Sequence, residues 1–373
     1  ADQLCFFCAA AGIMCPFLKL VILPDLGARN TLCYGLLELG TEVGNLFPAT
    51  TDVMNRSLRI QMVTPAPARS LHGNRVTALR WARLLRDLGH RVKITTQYQP
   101  TSTDLLIALH ARRSACSIAE FADQYPGKPL IVALTGTDLY HDLPASRAAQ
   151  QSLRLATRVV VLQPDGLGYL EAQHRKKACA IIQSARKPFR RVPPLKRVME
   201  VAVVAHLRAV KDPFRLALAS RKLPASSKIR VVQIGQALSQ GMQRQAVREM
   251  TQNVRYRWLG QLPRWQALQR LRRSRLVVVS SRLEGAPNVA SEALAAEVPM
   301  LSSRISGMVG LLGEDYPGYF PVGDTNQLTQ LLVRAEQDRD FYRQLKASCS
   351  QVQQLVRPQR EKRLWKELLA EIT

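Results

Sequence analysis

The stretch LVVVSSRLEGAPNVASEALAAEVPMLSSRISGMVGLLGEDYPGYFPVGD, residues 276–324, decides the fold. Residues 276–280 form an apolar, β-branched run without polar alternation, which is typical of a buried parallel strand. A loop follows, and Pro287 opens an Ala- and Leu-rich segment that predicts a helix. Residues 298–302 predict a second short strand. Strand, loop, helix and strand in this order predict half of a nucleotide-binding α/β unit, whose ligand lies beyond the carboxyl ends of the strands.

This stretch also carries side chains suited to a sugar and a phosphate. Asn288 and Val289 stand at the predicted helix N-terminus, where free backbone N–H groups and the helix macrodipole favour an anion. Glu284 precedes them and Glu292 follows them, and ionised carboxylates accept strong hydrogen bonds from sugar hydroxyls. A diphosphate with a sugar on each side would satisfy all of these groups. Taken singly, either glutamate is more simply a solvated surface residue.

Polar residues also follow the predicted strands of the first half of the chain. The strand at residues 105–109 runs into His110, and the strand at residues 129–134 ends in Thr135 with Asp138 close behind. Polar side chains at the carboxyl ends of buried strands are placed to face a ligand cleft. For His110 and Asp138 the alternative is a structural role as the cap of the helix that follows.

A glycine loop and several arginines extend this predicted cleft. Gly73 and Asn74 lead into the first predicted helix, which is where a doubly wound sheet places phosphate, although one glycine before a helix is also ordinary turn chemistry. Arg75, Arg112 and Arg113 would attract a small, multiply charged anion.

The length and composition indicate two domains. The chain has 373 residues, enough for two full cores, and the basic, proline-rich run RKPFRRVPP at residues 186–194 predicts a linker. We therefore expect an N-terminal domain at residues 54–190 and a C-terminal domain at residues 191–373. Residues 1–53 are acidic and contain four of the seven cysteines, and we expect them to be a non-functional leader, as in an over-extended reading frame.

The net charge of +25 suggests an anionic ligand, with nucleic acid as the rival partner. Aromatic residues make up only 6% of the chain and mostly fall at predicted core positions, which disfavours binding by base stacking. No apolar run reaches the length of a membrane span, so no membrane insertion is expected. The cysteines after residue 53 are scattered, which is typical of thiols in a reducing cytosol and predicts a cytoplasmic protein.

The spacing E-x7-E followed by A-x-x-x-P and S-x-x-x-G resembles the nucleotide-sugar glycosyltransferases of the GT-B class. The resemblance implies an α/β protein with two Rossmann-like domains facing across a cleft. It implies that residues 54–190 bind the acceptor and residues 191–373 bind the nucleotide sugar, and that a terminal helix, predicted over residues 351–373, crosses back to the first domain. It further implies that Glu284 contacts the donor sugar, that the amides of Asn288 and Val289 hold the diphosphate, and that Glu292 holds the nucleotide ribose. One departure is Glu297, where the family usually has a glycine that ends the helix.

Other positions match the same family. Arg208 and Lys211 follow a predicted strand with the R-x-x-K spacing that neutralises the donor diphosphate in these enzymes. The resemblance places His110 near the donor sugar and Gly73 in the glycine loop above the reaction centre. Since such enzymes usually need no metal, we expect neither a metal nor another cofactor. We expect His110, Glu284 and Asp138 at the reaction centre.

Several longer blocks narrow the resemblance to the selenosugar synthases of the selenoneine pathway. These blocks are GNRVTALRWARLLRDLGHRV, LLIALHARRS, ALTGTDLY, VVVLQP, HLRAVKDP, SSRLEG and GLLGEDYPGYFPVGD. The resemblance covers residues 58–373, although Pro287 departs from the usual segment. It implies that selenophosphate is joined to the sugar of UDP-glucose or UDP-N-acetylglucosamine, with release of UDP. An ordinary glycosyltransferase with a hydroxyl acceptor remains the alternative, and a basic nucleic-acid-binding protein remains the third possibility.

Overall fold

The computed structural model describes residues 57–70, 72–187 and 192–372. These residues belong to one compact unit, Val53–Thr373. The expectation that residues 1–53 form a leader concerns a segment outside the described residues. None of the helices in the described part of the chain combines the length and the apolarity that crossing a bilayer would require.

The first of two parallel sheets is formed by the described residues before the predicted linker. Its strands are β1 (Arg59–Val63), β2 (Arg91–Thr95), β3 (Leu105–Leu109), β4 (Leu130–Leu134), β5 (Arg158–Val161) and β6 (Ala178–Ala180). The strands lie in the order β2-β1-β3-β4-β5-β6, and every neighbouring pair is parallel. Strand order reverses direction between β1 and β3, so the carboxyl ends of these two strands flank the crevice in which such a sheet binds its ligand.

The second sheet follows the linker. Its strands are β7 (Met199–Val204), β8 (Ile229–Ile234), β9 (Tyr256–Trp258), β10 (Leu276–Val279), β11 (Met300–Ser303) and β12 (Tyr319–Phe320). They lie in the order β12-β11-β10-β7-β8-β9, again with parallel neighbours, which is the strand order of a Rossmann fold. The crevice of this sheet lies between β7 and β10, because the strand order reverses there.

Helices cover both sheets. They are α1 (Gly73–Arg86), α2 (Ala115–Gln124), α3 (Arg147–Leu155), α4 (Ala172–Arg175), α5 (Arg215–Arg221), α6 (Gln240–Gln252), α7 (Arg264–Arg273), α8 (Asn288–Ala295), α9 (Ser306–Leu312), α10 (Thr325–Gln337), α11 (Arg339–Val352) and α12 (Pro358–Ala370). The sequence pattern predicts one terminal helix over residues 351–373, and this prediction is wrong. Pro358 interrupts it, because proline lacks an N–H and pushes Arg357 out of the helical region, so a new helix begins at Pro358.

Helix α12 packs against the first sheet, although it follows the second sheet in the chain. Trp365 is fully buried and meets Trp81 of α1 edge to face, with ring centroids 4.9 Å apart. Leu368 and Leu369 lie in the same apolar cluster as Ile60 of β1. The last helix therefore completes the core of the first sheet.

Glu297 ends helix α8 in a conformation that normally requires glycine. Its φ is +60°, and its N–H donates to the Leu294 carbonyl while the N–H of Val298 donates to the Ala293 carbonyl. This pair of hydrogen bonds is a Schellman motif with glutamate at the left-handed position. The turn therefore forms although glutamate replaces the usual glycine, and Glu297 is strained in it.

Replacing Glu297 with glycine is expected to raise the free energy of unfolding by about 1 kcal/mol, because glycine adopts this conformation without a clash at Cβ. The change removes an ion pair with Lys187, at 2.9 Å, but both side chains are largely exposed and such pairs contribute little. Glu297→Ala is the matched control, since it loses the same ion pair and keeps Cβ. Urea denaturation measures the difference, and equal stability of the glycine and alanine variants would contradict the prediction.

Candidate active site

A cleft of about 360 Å³ is lined by residues that follow strands of both sheets. From the first sheet come the segments after β1, β3 and β4, and from the second come those after β7, β8 and β10. Both crevices described above therefore open into the same space. This is the arrangement in which one sheet can hold a nucleotide while the other presents a second substrate.

Two cations lie where β7 ends. Arg208 and Lys211 both line the cleft. Lys211 is the last residue of a short 3₁₀ turn, Ala209–Lys211. The backbone carbonyl of Lys211 accepts a hydrogen bond from Ser280 Oγ at 3.2 Å, and this bond connects the turn with the end of β10. The Lys211 ammonium forms an ion pair with Glu284 across the cleft. Glu284 Oε1 also accepts a hydrogen bond from Ser281 Oγ at 2.7 Å, which fixes the carboxylate beside the ammonium.

The N-terminus of α8 opens into the same cleft. Pro287 is the residue before the helix, one position earlier than its predicted place inside it, and Asn288 and Val289 form the first turn. Backbone N–H groups in the first turn of a helix have no acceptor within that helix. Together with the helix macrodipole they favour an anion, and Lys211 and Arg208 line the same space.

Glu292 lies one turn further along α8, and its side chain forms an ion pair with Arg264 at 2.5 Å. Burial raises the pKa of Glu292, and the neighbouring Arg264 opposes part of that shift. Sequence reasoning did not identify Arg264 as a site residue. No local sequence pattern predicts that Arg264, at the start of α7, contacts Glu292 in the next helix of the chain.

His110 forms part of the floor of the cleft and is strained. Its φ is +77°, a left-handed value that is rare for residues other than glycine, and its side chain is almost fully buried. The Arg113 N–H donates to His110 Nδ1 at 3.4 Å, so the ring proton lies on Nε2, which is 3.3 Å from Thr137 Oγ1. Burial lowers the pKa of His110, which favours the neutral ring.

Asp138 lies behind His110 and does not line the cleft. It is fully buried and accepts hydrogen bonds from the backbone N–H groups of Ala111, Thr135 and Gly136, at 3.1, 2.9 and 2.8 Å. The shortest recorded distance from its carboxylate to the His110 ring is 3.9 Å, too long for a hydrogen bond. Asp138 therefore holds the two loops that carry His110 and Thr135. This role is structural, but it is not the predicted cap of the following helix, because all three N–H groups precede that helix.

The predicted acceptor residues separate into two groups. Four of them line the cleft: Gly73, Asn74, Arg113 and Thr135. Arg112 does not, because its Nε pairs with Asp142 Oδ2 at 2.8 Å. Arg75 also does not line the cleft, and its Nε is buried without a hydrogen-bond partner among the described residues.

Two glycines bring the halves of the cleft into backbone contact. A Cβ atom on Gly136, which follows β4, would lie 2.9 Å from the backbone nitrogen of Gly285, which follows Glu284. Gly136 also has a φ of +139°, so a side chain is disfavoured there on both counts. Sequence reasoning did not single out this pair, because each glycine alone is unremarkable in a loop after a strand.

Comparisons with known proteins agree with this geometry. Residues 186–351 match the family model for glycosyl transferases group 1. HepE from Anabaena, solved in complex with UDP and glucose, is 15% identical with a TM-score of 0.67, covering 84% of this chain and 100% of that chain. A sucrose-phosphate synthase from Thermosynechococcus elongatus is 17% identical with a TM-score of 0.68, covering 85% and 100%. No curated protein matches the sequence.

The predicted fold class is confirmed by these similarities and by the two parallel sheets. The roles predicted for individual cleft residues stay predictions, since the structure shows where the residues lie and not what they bind. Residues 186–351 are therefore similar to the glycosyl transferases group 1, and the chain has the GT-B fold.

Proposed function

We propose that this protein transfers the sugar of UDP-glucose or UDP-N-acetylglucosamine to selenophosphate. In this reaction the bond from the anomeric carbon to the diphosphate oxygen breaks, a carbon–selenium bond forms, and UDP leaves with the bonding electrons. The observation that carries the donor half of the proposal is the meeting of Arg208, Lys211, Glu284 and the N-terminus of α8 in one cleft. The same cleft is the site at which we expect the acceptor.

The donor half follows from electrostatics. Negative charge grows on the diphosphate as the glycosidic bond breaks, and cations with free N–H groups already in place stabilise that charge. Binding of UDP-glucose would bring the diphosphate to Lys211, which now pairs with Glu284, and would free the Glu284 carboxylate for a sugar hydroxyl. Glu292 would hold the ribose, in place of its present contact with Arg264. HepE of Anabaena, which shares the fold, has been solved with UDP-glucose.

The acceptor half rests on the sequence blocks and on the environment of His110. A hydroxyl acceptor needs a base to remove its proton. Of the three residues predicted at the reaction centre, Glu284 is paired with Lys211, which leaves His110 and Asp138. Both His110 ring nitrogens already face protein groups, and Asp138 is buried beneath three N–H donors. Selenium is a strong nucleophile that needs no such base, which favours selenophosphate. Arg113 lines the acceptor side and supplies charge for an anion.

The alternative is transfer to a hydroxyl acceptor, as in an ordinary glycosyltransferase of this fold. The test incubates the protein with each UDP-sugar and selenophosphate and follows the products by mass spectrometry, using the selenium isotope pattern and allowing for products with and without the phosphoryl group. We expect UDP and a selenium-containing sugar in equal amounts. Release of UDP only when an alcohol is supplied would favour the alternative, and no UDP release with either acceptor would contradict both.

A further inference from the structure

A buried carboxylate joins three segments of the chain next to the cleft. Glu361 of α12 has no exposed surface, and its Oε1 accepts a hydrogen bond from Trp81 Nε1 at 2.7 Å. Its Oε2 accepts from the Ser184 N–H at 2.9 Å and from the Ser184 hydroxyl. Arg80 of α1 also points at Glu361, with its Nε 3.4 Å from Oε1. One anion thus fixes α1, the segment after β6 and α12 relative to one another.

Arg80 connects Glu361 with a residue that lines the cleft, Asn288. While Nε faces Glu361, Nη1 donates to Asn288 Oδ1 at 2.8 Å. Asn288 is the first residue of α8 and lines the cleft. The Arg80 side chain is only 16% exposed, so it is held between the buried glutamate and the asparagine. An arginine of the first half therefore contacts the helix end that belongs to the second.

This contact fixes which way round the Asn288 amide lies. Arginine carries only hydrogen-bond donors, so the group that faces it must be the amide oxygen. The amide nitrogen then points to the other side, where a Cβ atom on Gly73 would be 3.9 Å from Asn288 Nδ2. No hydrogen bond from Nδ2 to a protein group is recorded among the residues that the structure describes. A free donor therefore faces the glycine loop across the cleft.

We propose that Arg80 is a positioning residue that turns the Asn288 amide nitrogen toward the diphosphate of the donor. This inference rests on the proposed use of a UDP-sugar. Without Arg80 the amide is free to rotate by a half-turn and present its oxygen to the phosphates, and two acceptors facing each other repel. Arg80 does not line the cleft, so it acts through Asn288 and not by contact with the substrate.

The test measures UDP binding by isothermal titration calorimetry to the full chain and to four variants. Arg80→Met is expected to weaken binding about tenfold, the effect of one hydrogen bond to a charged group. Arg83→Met, which changes an exposed arginine of the same helix, is expected to bind as the unchanged protein does. Asn288→Ala is expected to weaken binding to a similar extent. Arg80→Met/Asn288→Ala is expected to be no weaker than the weaker single variant, because both changes remove the same interaction.

Each of the other outcomes contradicts either the proposed donor or the proposed role of Arg80. If the unchanged protein does not bind UDP, the proposed donor is wrong and this inference falls with it. If it binds and Arg80→Met binds equally well, only this inference is wrong. Losses that add in the double variant would show that Arg80 acts through its charge and not through Asn288. If thermal unfolding shows that Arg80→Met is not folded, Asn288→Ala alone decides, and normal binding by that variant overturns the inference.

Discussion

Lys211→Ala is expected to lower kcat by about a hundred- to a thousandfold, the usual cost of removing one preorganised group that stabilises developing charge. Lys211 is held at the end of β7 by the contact of its carbonyl with Ser280, and its ammonium meets Glu284 in the cleft. Alanine removes the cation that we propose to lie beside the leaving diphosphate, and it also leaves the Glu284 carboxylate without its ion-pair partner. The measurement is the rate of UDP release at saturating UDP-sugar.

Two further variants make this result specific. Lys222→Ala removes an exposed lysine that contacts Asn326 at 2.6 Å, away from the cleft, and is expected to leave kcat unchanged. Lys211→Arg keeps the charge and is expected to retain more activity than the alanine variant, although a guanidinium does not place its charge at the same point. A Lys211→Ala variant with more than about a tenth of normal kcat would contradict the role assigned to this residue.

Glu361→Ala is expected to lower the free energy of unfolding by about 3–5 kcal/mol, the range for breaking a buried charged pair from one side. The loss leaves the indole N–H of Trp81, the backbone N–H of Ser184 and the Arg80 guanidinium without their acceptor. Water cannot replace the lost acceptor for the two N–H groups, because Trp81 has no exposed surface and Ser184 is buried. Urea denaturation measures the change.

Glu367→Ala is the matched control for Glu361→Ala. Glu367 lies on the same helix, but its side chain is 57% exposed and pairs with Arg363 at 3.5 Å. Its removal is expected to change stability by no more than about 0.5 kcal/mol, as for most surface substitutions. Glu361→Gln is expected to fall between the two, since it keeps the shape and one acceptor oxygen. Equal stability of Glu361→Ala and Glu367→Ala would show that the buried contacts contribute nothing.

The donor side of the cleft was predictable because its signals are local. Glu284, Asn288 and Glu292 lie within one strand–loop–helix unit, so the periodicity that predicts the elements also predicts where these residues lie. Arg208 and Lys211 follow the end of a predicted strand in the same way. The carboxyl ends of parallel strands share one edge of a sheet, which is why strand ends alone were enough to bring these residues together.

Contacts that depend on side-chain direction were not predictable. Arg112 and Arg113 are neighbours in the sequence, yet Arg113 lines the cleft while Arg112 turns away to Asp142. Asp138 follows a strand end as His110 does, but its carboxylate accepts hydrogen bonds from the N–H groups of Thr135 and Gly136 and is therefore buried. Arg264 reaches its glutamate from another helix. Such choices depend on tertiary packing, which a single sequence does not encode in any short pattern.

The return of α12 to the first sheet has a consequence for how the protein is made. Trp81 is synthesised early, whereas Glu361, which accepts its indole N–H, lies 280 residues later in the chain, and Trp365, which packs against it, lies later still. Until then the nascent first half exposes an apolar surface that its own strands and helices cannot cover. The core of that half is therefore complete only once α12 has been synthesised and has packed against it.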